Sequence, residues 1–210
     1  MSTYKNIIFD VGSVLVNWMR KNLYTTLFHG DTEKAKWMID HIVTNSWNDQ
    51  TDLGKPIEEC IFNLKQAYPK YAPYIVAYWY CYKDMDGGEI PGIYQVMKEL
   101  KAQSYHLYCL TNWSHETFPI VKQAHARLFD MFEGIVVSGE EKMVKPNPEI
   151  YKVLLDRYQL NPSECIFIDD RQANVDGAEK VGIKGVLFQG SDSLRQQLLL
   201  LDSIKIDIRK

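Results

Sequence analysis

Short apolar runs recur along the chain, separated by longer segments in which apolar residues return every three or four positions. The short runs predict buried strands, and the periodic segments predict amphipathic helices. The predicted strands cover residues 6–9, 105–110, 134–137, 165–168 and 185–188, and the predicted helices cover residues 93–103, 119–126, 148–158, 172–181 and 191–201. Because strands that alternate with helices join through right-handed crossovers, the pattern predicts an α/β fold with a parallel sheet and helices on both faces.

Residues 17–89 lack this alternation of predicted strands and helices. They are rich in Trp and Tyr, show helical periodicity and contain no convincing strand. Turn-forming residues at 30–31, 54–56 and 68–69 divide the segment into about four helices. We therefore expect a helical bundle whose aromatic side chains pack inside it rather than around a ligand.

The change of pattern predicts two domains. Residues 1–16 and 90–210 form a core, and residues 17–89 form a helical cap that is inserted after the first strand. Residues 203–208 alternate between polar and apolar side chains and predict an edge strand near the end of the core.

The composition of the chain indicates which kinds of binding partner to expect. The chain has 210 residues, 46% of them hydrophobic and 24% charged, as in a globular protein with a substantial core. A net charge of -3 and the lack of a Lys/Arg run argue against nucleic acid or a membrane as partner. No stretch approaches the roughly 18 apolar residues of a membrane span. The N-terminus lacks a signal-peptide core and the four cysteines are widely spaced, so we expect a cytoplasmic protein. We expect it to be a monomer or a homodimer.

Polar residues follow four of the predicted strands. Because the carboxyl ends of parallel strands meet at one edge of a sheet, these residues are expected to converge on one crevice. They are Asp10, the pair Thr111-Asn112, Lys145 in the loop after residue 137, and the pair Asp169-Asp170.

Three carboxylates brought together repel one another unless a cation neutralises them. Ligands that are all oxygen atoms point to Mg²⁺, a hard ion that completes its shell with water and substrate phosphate. Lys145 and Thr111 add a charge and a hydroxyl suited to phosphate oxygens. The residues alone therefore predict a magnesium and phosphate site.

Asp10-x-x-x-Val14, Thr111-Asn112, Lys145-Pro146 and Asp169-Asp170 occur in the order of the four motifs of the haloacid dehalogenase-like hydrolase superfamily. The chain resembles this superfamily over nearly its whole length, and in particular the branch with a helical cap inserted after the first motif. The resemblance implies a Rossmann-like core and a Mg²⁺-dependent phosphatase that acts on small phosphorylated metabolites.

The resemblance also implies a reaction in two steps. Asp10 would be the nucleophile and form an aspartyl phosphate, which water then hydrolyses. Thr111 and the backbone amide of Asn112 would bind the transferring phosphoryl group. Lys145 would hold Asp10 and offset the charge that develops on the phosphoryl oxygens.

The metal ligands implied by the resemblance are the side chains of Asp10 and Asp170 and the carbonyl oxygen of Gly12. Asp169 would support these ligands, and Asn174 would reach the metal through water.

Gly12 departs from the pattern, since most phosphatases of the superfamily have an Asp at this position that protonates the leaving group. General acid catalysis contributes about 10² to 10⁴ in rate. Its loss predicts a preference for good leaving groups, such as those of sugar 1-phosphates. His29, His41 and Glu89 are candidates for a replacement proton donor in the cap.

Two other functions remain open. A 2-haloacid dehalogenase would use the same nucleophile without a metal, but crowded carboxylates such as Asp169 and Asp170 would then oppose its anionic substrate. A non-catalytic regulatory module built on a degenerate core would have no need for Asp10, Thr111 and Lys145.

The chain passes over the crevice just after the first strand. Asn17, Trp18, Arg20 and Lys21 are therefore candidate substrate contacts. Whether Arg20 or Lys21 faces the substrate stays open, because the two side chains bind anions differently.

Overall fold

The computed structural model describes residues 4–201, which contain seven strands. In chain order these are β1 (Asn6–Phe9), β2 (Val16–Trp18), β3 (Asp86–Glu89), β4 (His106–Thr111), β5 (Gly134–Val137), β6 (Cys165–Asp169) and β7 (Lys184–Leu187). Strands β5, β4, β1, β6 and β7 form one parallel sheet in that order. All five strands predicted for the core are confirmed, with ends that differ by one residue at most.

The carboxyl ends of the central strands lie level with one another. Phe9 at the end of β1 is opposite Cys109 on one side and Ile168 on the other. All four residues of β1 and all five of β6 are buried. The polar residues that follow these strands therefore emerge together at one edge of the sheet, where a charge can reach solvent.

The described residues form twelve α-helices. They are α1 (Arg20–Leu27), α2 (Thr32–His41), α3 (Asn45–Asp52), α4 (Ile57–Ala67), α5 (Ala72–Tyr80), α6 (Ile93–Ala102), α7 (Phe118–Ala124), α8 (Ala126–Phe129), α9 (Ser138–Glu141), α10 (Pro148–Tyr158), α11 (Gln172–Glu179) and α12 (Ser191–Leu200). Short 3₁₀ helices cover Pro69–Tyr71, Tyr82–Met85 and Pro162–Glu164.

Helices cover both faces of the sheet, as in a Rossmann-like core. The side chains of β1 alternate: Ile7 and Phe9 join one apolar cluster and Ile8 joins the other. Val96 of α6 packs in the first cluster, and Leu154 of α10 packs in the second. Burial on both faces explains why the strands read as continuous apolar runs.

Residues 19–85, between β2 and β3, form the helical insertion with helices α1 to α5. The expectation of about four helices was wrong, because an additional helix begins after Thr44. The Thr44 hydroxyl accepts a hydrogen bond from the amide of Trp47 at 3.2 Å, which caps α3 and separates it from α2.

The expectation that residues 17–89 contain no strand was also wrong. β2 and β3 pair in an antiparallel ribbon at the two ends of the helical insertion, with Val16 opposite Glu89. The sequence Asp-Gly-Gly-Glu of β3 has a low strand propensity. Gly87 permits the pairing, since a Cβ there would lie 3.0 Å from the Cβ of Asn17.

The insertion packs against the core through an apolar cluster that includes Leu15, Val16, Leu23 and Tyr78. The division into two domains stays a prediction. Among residues 4–201, no helix combines the length and the apolar composition that crossing a membrane requires. The edge strand predicted for residues 203–208 lies outside the described residues.

Candidate active site

Asp10 is the first residue after β1 and lies at the carboxyl edge of the sheet. Its amide donates a hydrogen bond to the carbonyl of Ile168 in β6 at 2.9 Å, which fixes the residue at the tip of the strand. The residue is buried, with 7% of its surface exposed. Asp10 Oδ1 lies 2.8 Å from Lys145 Nζ.

Lys145 joins Asp10 to Asp169. Its buried ammonium group lies 2.8 Å from a carboxylate oxygen of each residue and donates to the carbonyl of Leu110 at 2.9 Å. Burial opposes the charged form, but Asp10 and Asp169 outweigh it and raise the pKa of Lys145. The lysine therefore keeps its charge and balances that of the two carboxylates.

Asn112 fixes the backbone of Lys145. Its Nδ2 donates to the carbonyl of Lys145 at 3.0 Å, and its Oδ1 accepts from the amide of the same residue at 2.8 Å. Because these bonds tie the end of β4 to the loop that carries Lys145, they set the position of the ammonium group. The contact predicted for the backbone amide of Asn112 stays a prediction.

Asp169 is fully buried and uses both of its carboxylate oxygens within the protein. Oδ2 faces Lys145, and Oδ1 accepts from the amide of Arg171 at 2.9 Å. Asn174 Nδ2 lies 3.0 Å from each of the two oxygens. This geometry suits the supporting role predicted for Asp169.

Carboxylate oxygens of Asp10, Asp169 and Asp170 lie within 4.8 Å of one another. Asp170 is exposed and forms the outer side of the cluster. Within residues 4–201, no hydrogen-bond partner reaches the buried atoms Thr111 Oγ1 and Asn174 Oδ1. This set of oxygen donors fits a hard divalent cation such as Mg²⁺ together with a phosphate group.

Without a cation, two of the carboxylates have raised pKa values. Burial raises the pKa of Asp10 to about 7, with Lys145 opposing the shift and Asp169 adding to it. Burial and then the charge of Asp169 raise the pKa of Asp170. A divalent cation at the cluster would favour the charged carboxylates and reverse both shifts.

Two adjoining cavities lie beside the cluster. The carboxylate cavity, of about 510 Å³, is lined by Asp10, Asp170 and Asn174 among others. The aromatic cavity, of about 180 Å³, contains the rings of four residues in its wall. These are Trp18, Tyr78, Tyr82 and Trp113.

The aromatic cavity corrects one expectation from the sequence. Tyr78 and Tyr82 were expected only to pack inside the cap, but both also line this cavity. The ring of Trp18 lies 4.6 Å from that of Tyr82 and 5.2 Å from that of Trp113, measured between centroids. The rings thus support one another and present a rigid apolar surface.

Of the four predicted substrate contacts, the structure brings two to the site. Trp18 and Arg20 line the aromatic cavity, and Arg20 is oriented by a hydrogen bond to the carbonyl of Val43 at 2.7 Å. Asn17 lies in the β2–β3 ribbon, and Lys21 is exposed at a separate surface depression. Of Arg20 and Lys21, Arg20 is the residue that lies at the aromatic cavity, and its contact with a substrate stays a prediction.

The three candidate proton donors do not line either cavity. His29 is exposed after the end of α1. His41 stacks on Trp37, with 5.0 Å between ring centroids. Glu89 accepts a hydrogen bond from Arg127 Nε at 2.8 Å.

Asn48 and Asp52 line both cavities from α3, and the sequence did not predict either residue at the site. Their position depends on how the helical insertion packs over the strand ends. No short sequence motif predicts that packing. The one local signal is Gly54, which ends the helical segment with a φ of +85°.

The fold and the site together define an α/β enzyme with a buried carboxylate at a strand end, held by a buried lysine. The family model of the haloacid dehalogenase-like hydrolases matches residues 4–182. The chain belongs to this family of hydrolases.

Two relatives are phosphatases. A sesquiterpene phosphatase of Aspergillus oryzae is 29% identical over 188 residues, which cover 88% of this chain and 90% of the relative. A glyceraldehyde 3-phosphate phosphatase of Pyrococcus furiosus is 32% identical over 105 residues, which cover 48% of this chain and 42% of that protein.

Solved structures share the fold. A haloacid dehalogenase family enzyme of Bacteroides thetaiotaomicron, in its magnesium complex, superposes with a TM-score of 0.73 at 23% identity, covering 94% of this chain and 99% of the other. A predicted hydrolase of the same family from Porphyromonas gingivalis gives a TM-score of 0.69 at 20% identity, covering 96% of this chain and 100% of the other.

Proposed function

We propose that the protein is a Mg²⁺-dependent phosphatase that acts on small phosphorylated metabolites through an aspartyl-phosphate intermediate. The observation that carries the proposal is the contact of 2.8 Å between Lys145 Nζ and Asp10 Oδ1. It holds a buried carboxylate at a strand tip, beside a cavity that accommodates a phosphoryl group. The two phosphatase relatives support this reading.

In the first step a carboxylate oxygen of Asp10 attacks phosphorus, and the bond from phosphorus to the leaving group breaks. Lys145 offsets the charge on the phosphoryl oxygens. Thr111 and Asn112 bind the same group, and the Thr111 hydroxyl has no competing partner within residues 4–201. Water then attacks phosphorus, which releases inorganic phosphate and regenerates Asp10.

Asp10, Asp170 and the carbonyl oxygen of Gly12 would hold Mg²⁺, with Asn174 connected to it through water and Asp169 supporting the set. When bound, the ion neutralises the carboxylates and polarises the phosphoryl oxygens. The Bacteroides thetaiotaomicron enzyme was solved in complex with magnesium and inorganic phosphate, which supports this assignment.

The substrate is inferred from the aromatic cavity. A volume of about 180 Å³ suits the organic part of a small metabolite, and the rings of Trp18 and Trp113 suit a sugar face or another apolar surface. Gly12 by itself favours good leaving groups, as in sugar 1-phosphates. If another side chain protonates the leaving group, the preference for good leaving groups becomes weaker.

The dehalogenase alternative uses the same nucleophile without a metal. A haloacid carries a carboxylate, which the charges of Asp10 and Asp170 would repel in the metal-free cluster. The geometry therefore favours phosphoryl transfer with a cation.

A screen of phosphate esters with Mg²⁺ and with EDTA, using Asp10→Asn as the blank, tests the proposal. We expect release of phosphate that requires both Mg²⁺ and Asp10. Mg²⁺ should also raise the melting temperature of the wild type and not that of Asp170→Asn, because an ion that binds only the folded state stabilises it. Halide release from a 2-haloacid in EDTA, without phosphatase activity in Mg²⁺, would overturn the proposal.

A further inference from the structure

The site lacks a proton donor at Gly12, and the positions of the two cavities limit where another donor can lie. Under the proposed function, the carboxylate cavity would receive the phosphoryl group beside Asp10, and the aromatic cavity would receive the organic part of the substrate. The oxygen that joins these two parts must therefore lie where the cavities meet. A general acid has to reach that oxygen directly or through one water.

Among residues 4–201, four line both cavities and thus form the boundary between them. They are Gly12, Asn48, Asp52 and Asn112. Of these four, Asp52 alone carries a titratable side chain. We propose that Asp52, at the end of α3 in the helical insertion, is the general acid that protonates the leaving group, a role that rests on the proposed phosphatase function.

Hydrogen bonds from two sides hold Asp52 over the core. The Ser138 hydroxyl, at the carboxyl end of β5, donates to the carbonyl oxygen of Asp52 at 2.6 Å. Asn48 Nδ2 donates to Asp52 Oδ2 at 3.2 Å, and the Tyr78 hydroxyl in turn donates to Asn48 Oδ1. The backbone of Asp52 is thus anchored to the core, and the residue lines both cavities.

The surroundings of Asp52 favour its protonated form. Burial raises its pKa to about 7, and the charge of Asp49 on the same helix adds to the shift. Arg20 from α1 opposes it, and Asp10 in the core adds to it. The neighbouring phenols of Tyr78 and Tyr82 have pKa values above their usual range because of burial and are neutral at pH 7. A sizeable fraction of Asp52 therefore carries its proton at neutral pH.

The proton balance of the two steps is complete with this residue. As Asp10 forms its bond to phosphorus, the bond from phosphorus to the leaving oxygen breaks and that oxygen takes the proton of Asp52. The resulting Asp52 carboxylate then takes a proton from the water that attacks the aspartyl phosphate. The bond from phosphorus to Asp10 breaks, and both side chains return to their starting states.

The test compares two phosphate esters of similar size that each carry one aromatic ring and whose leaving groups differ in acidity. 4-Nitrophenyl phosphate leaves as a stabilised phenolate and needs little acid help, whereas benzyl phosphate leaves as a poor alkoxide. We expect Asp52→Asn to lower kcat/KM for benzyl phosphate by about 10² or more and to change that for 4-nitrophenyl phosphate by less than about tenfold. Asp52→Glu should restore part of the loss with benzyl phosphate.

Asp49→Asn is the matched control, because Asp49 lies on the same helix and lines the carboxylate cavity but not the aromatic one. Measured at about pH 5.5, where Asp52 stays largely protonated with or without the charge of Asp49, it should change kcat/KM for both substrates by the same factor. An equal loss with both substrates in Asp52→Asn, or no loss, overturns the role of Asp52 while 4-nitrophenyl phosphate turnover still supports the phosphatase. Wild type that hydrolyses neither ester overturns the proposed function and the role of Asp52 together.

Discussion

Lys145 carries a charge in a position that is buried from solvent. The carboxylates of Asp10 and Asp169 stabilise that charge. Breaking a buried charge network by removing one partner costs about 3–5 kcal/mol. We therefore expect Lys145→Met to lower the free energy of unfolding in EDTA by about this amount, since Asp10 and Asp169 would then face each other unneutralised. Urea unfolding at pH 7 measures it.

Lys142→Met, which changes an exposed lysine of the neighbouring loop, is the control for the loss of a positive charge as such. It should leave the unfolding free energy within about 0.5 kcal/mol of wild type. If the two variants are equally stable, the buried lysine does not neutralise the carboxylates.

Asp52 determines how the reaction depends on pH. A general acid acts when protonated, and the pKa of Asp52, raised first by burial, is about 7. With saturating Mg²⁺, kcat/KM for benzyl phosphate should therefore fall by up to about tenfold per pH unit above this pKa. In Asp52→Asn the fall above pH 7 should be absent. A wild-type profile that stays flat to about pH 9 would contradict the assignment.

At the scale of residues, the sequence predicts the part of the site that follows strand ends. Asp10, Thr111, Lys145 and the pair Asp169-Asp170 come together because parallel strands in register bring their ends to one edge. Asp52 could not be predicted in this way. Its place depends on hydrogen bonds such as that from Ser138, which joins residues far apart in the chain.

At the scale of elements, the core was predictable because its strands are buried on both faces and its helices keep one apolar face. The ribbon of β2 and β3 was not, since Gly87 and Gly88 are poor strand residues that pair only because the two ends of the helical insertion meet. The start of α3 does have a local sequence signal, because Thr44 is a favourable N-cap residue. A division of the segment at Gly and Pro turns does not detect it.

The turn after α3 tests how closely the helical insertion must approach the core. A Cβ on Gly54 would lie 2.6 Å from the carbonyl oxygen of Gly139, and the φ of Gly54 is +85°. Gly30 has a similar φ of +93° but open space around it, so Gly30→Ala reports the backbone cost alone. We expect about 1–2 kcal/mol of destabilisation for Gly30→Ala, because a side chain is strained at positive φ, and a further 1–3 kcal/mol, roughly, for Gly54→Ala.

The same substitution should displace Asp52, which precedes the turn by two residues. Gly54→Ala is therefore expected to reduce kcat/KM for benzyl phosphate more than that for 4-nitrophenyl phosphate, and Gly30→Ala should reduce neither selectively. Chemical denaturation and steady-state kinetics measure the two effects. Equal stability of the two variants would show that the insertion can move away from the core without cost.

At the scale of the whole molecule, catalysis is divided between the sheet and the helical insertion. In the proposed reaction, the strand ends would supply the nucleophile, the lysine and the oxygen donors for a cation, and the insertion would supply the aromatic wall and Asp52. The boundary between the two cavities is formed by residues from both parts, so neither part alone contains the complete site.

Covalent attachment of the phosphoryl group to Asp10 is the central step of the proposed reaction. Turnover of 4-nitrophenyl phosphate with Mg²⁺ can be stopped rapidly in acid, and the digested protein analysed by mass spectrometry. We predict one phosphoryl group on Asp10, absent with EDTA and absent in Asp10→Asn. Phosphorylation of another residue, or full phosphatase activity in Asp10→Asn, would contradict the account.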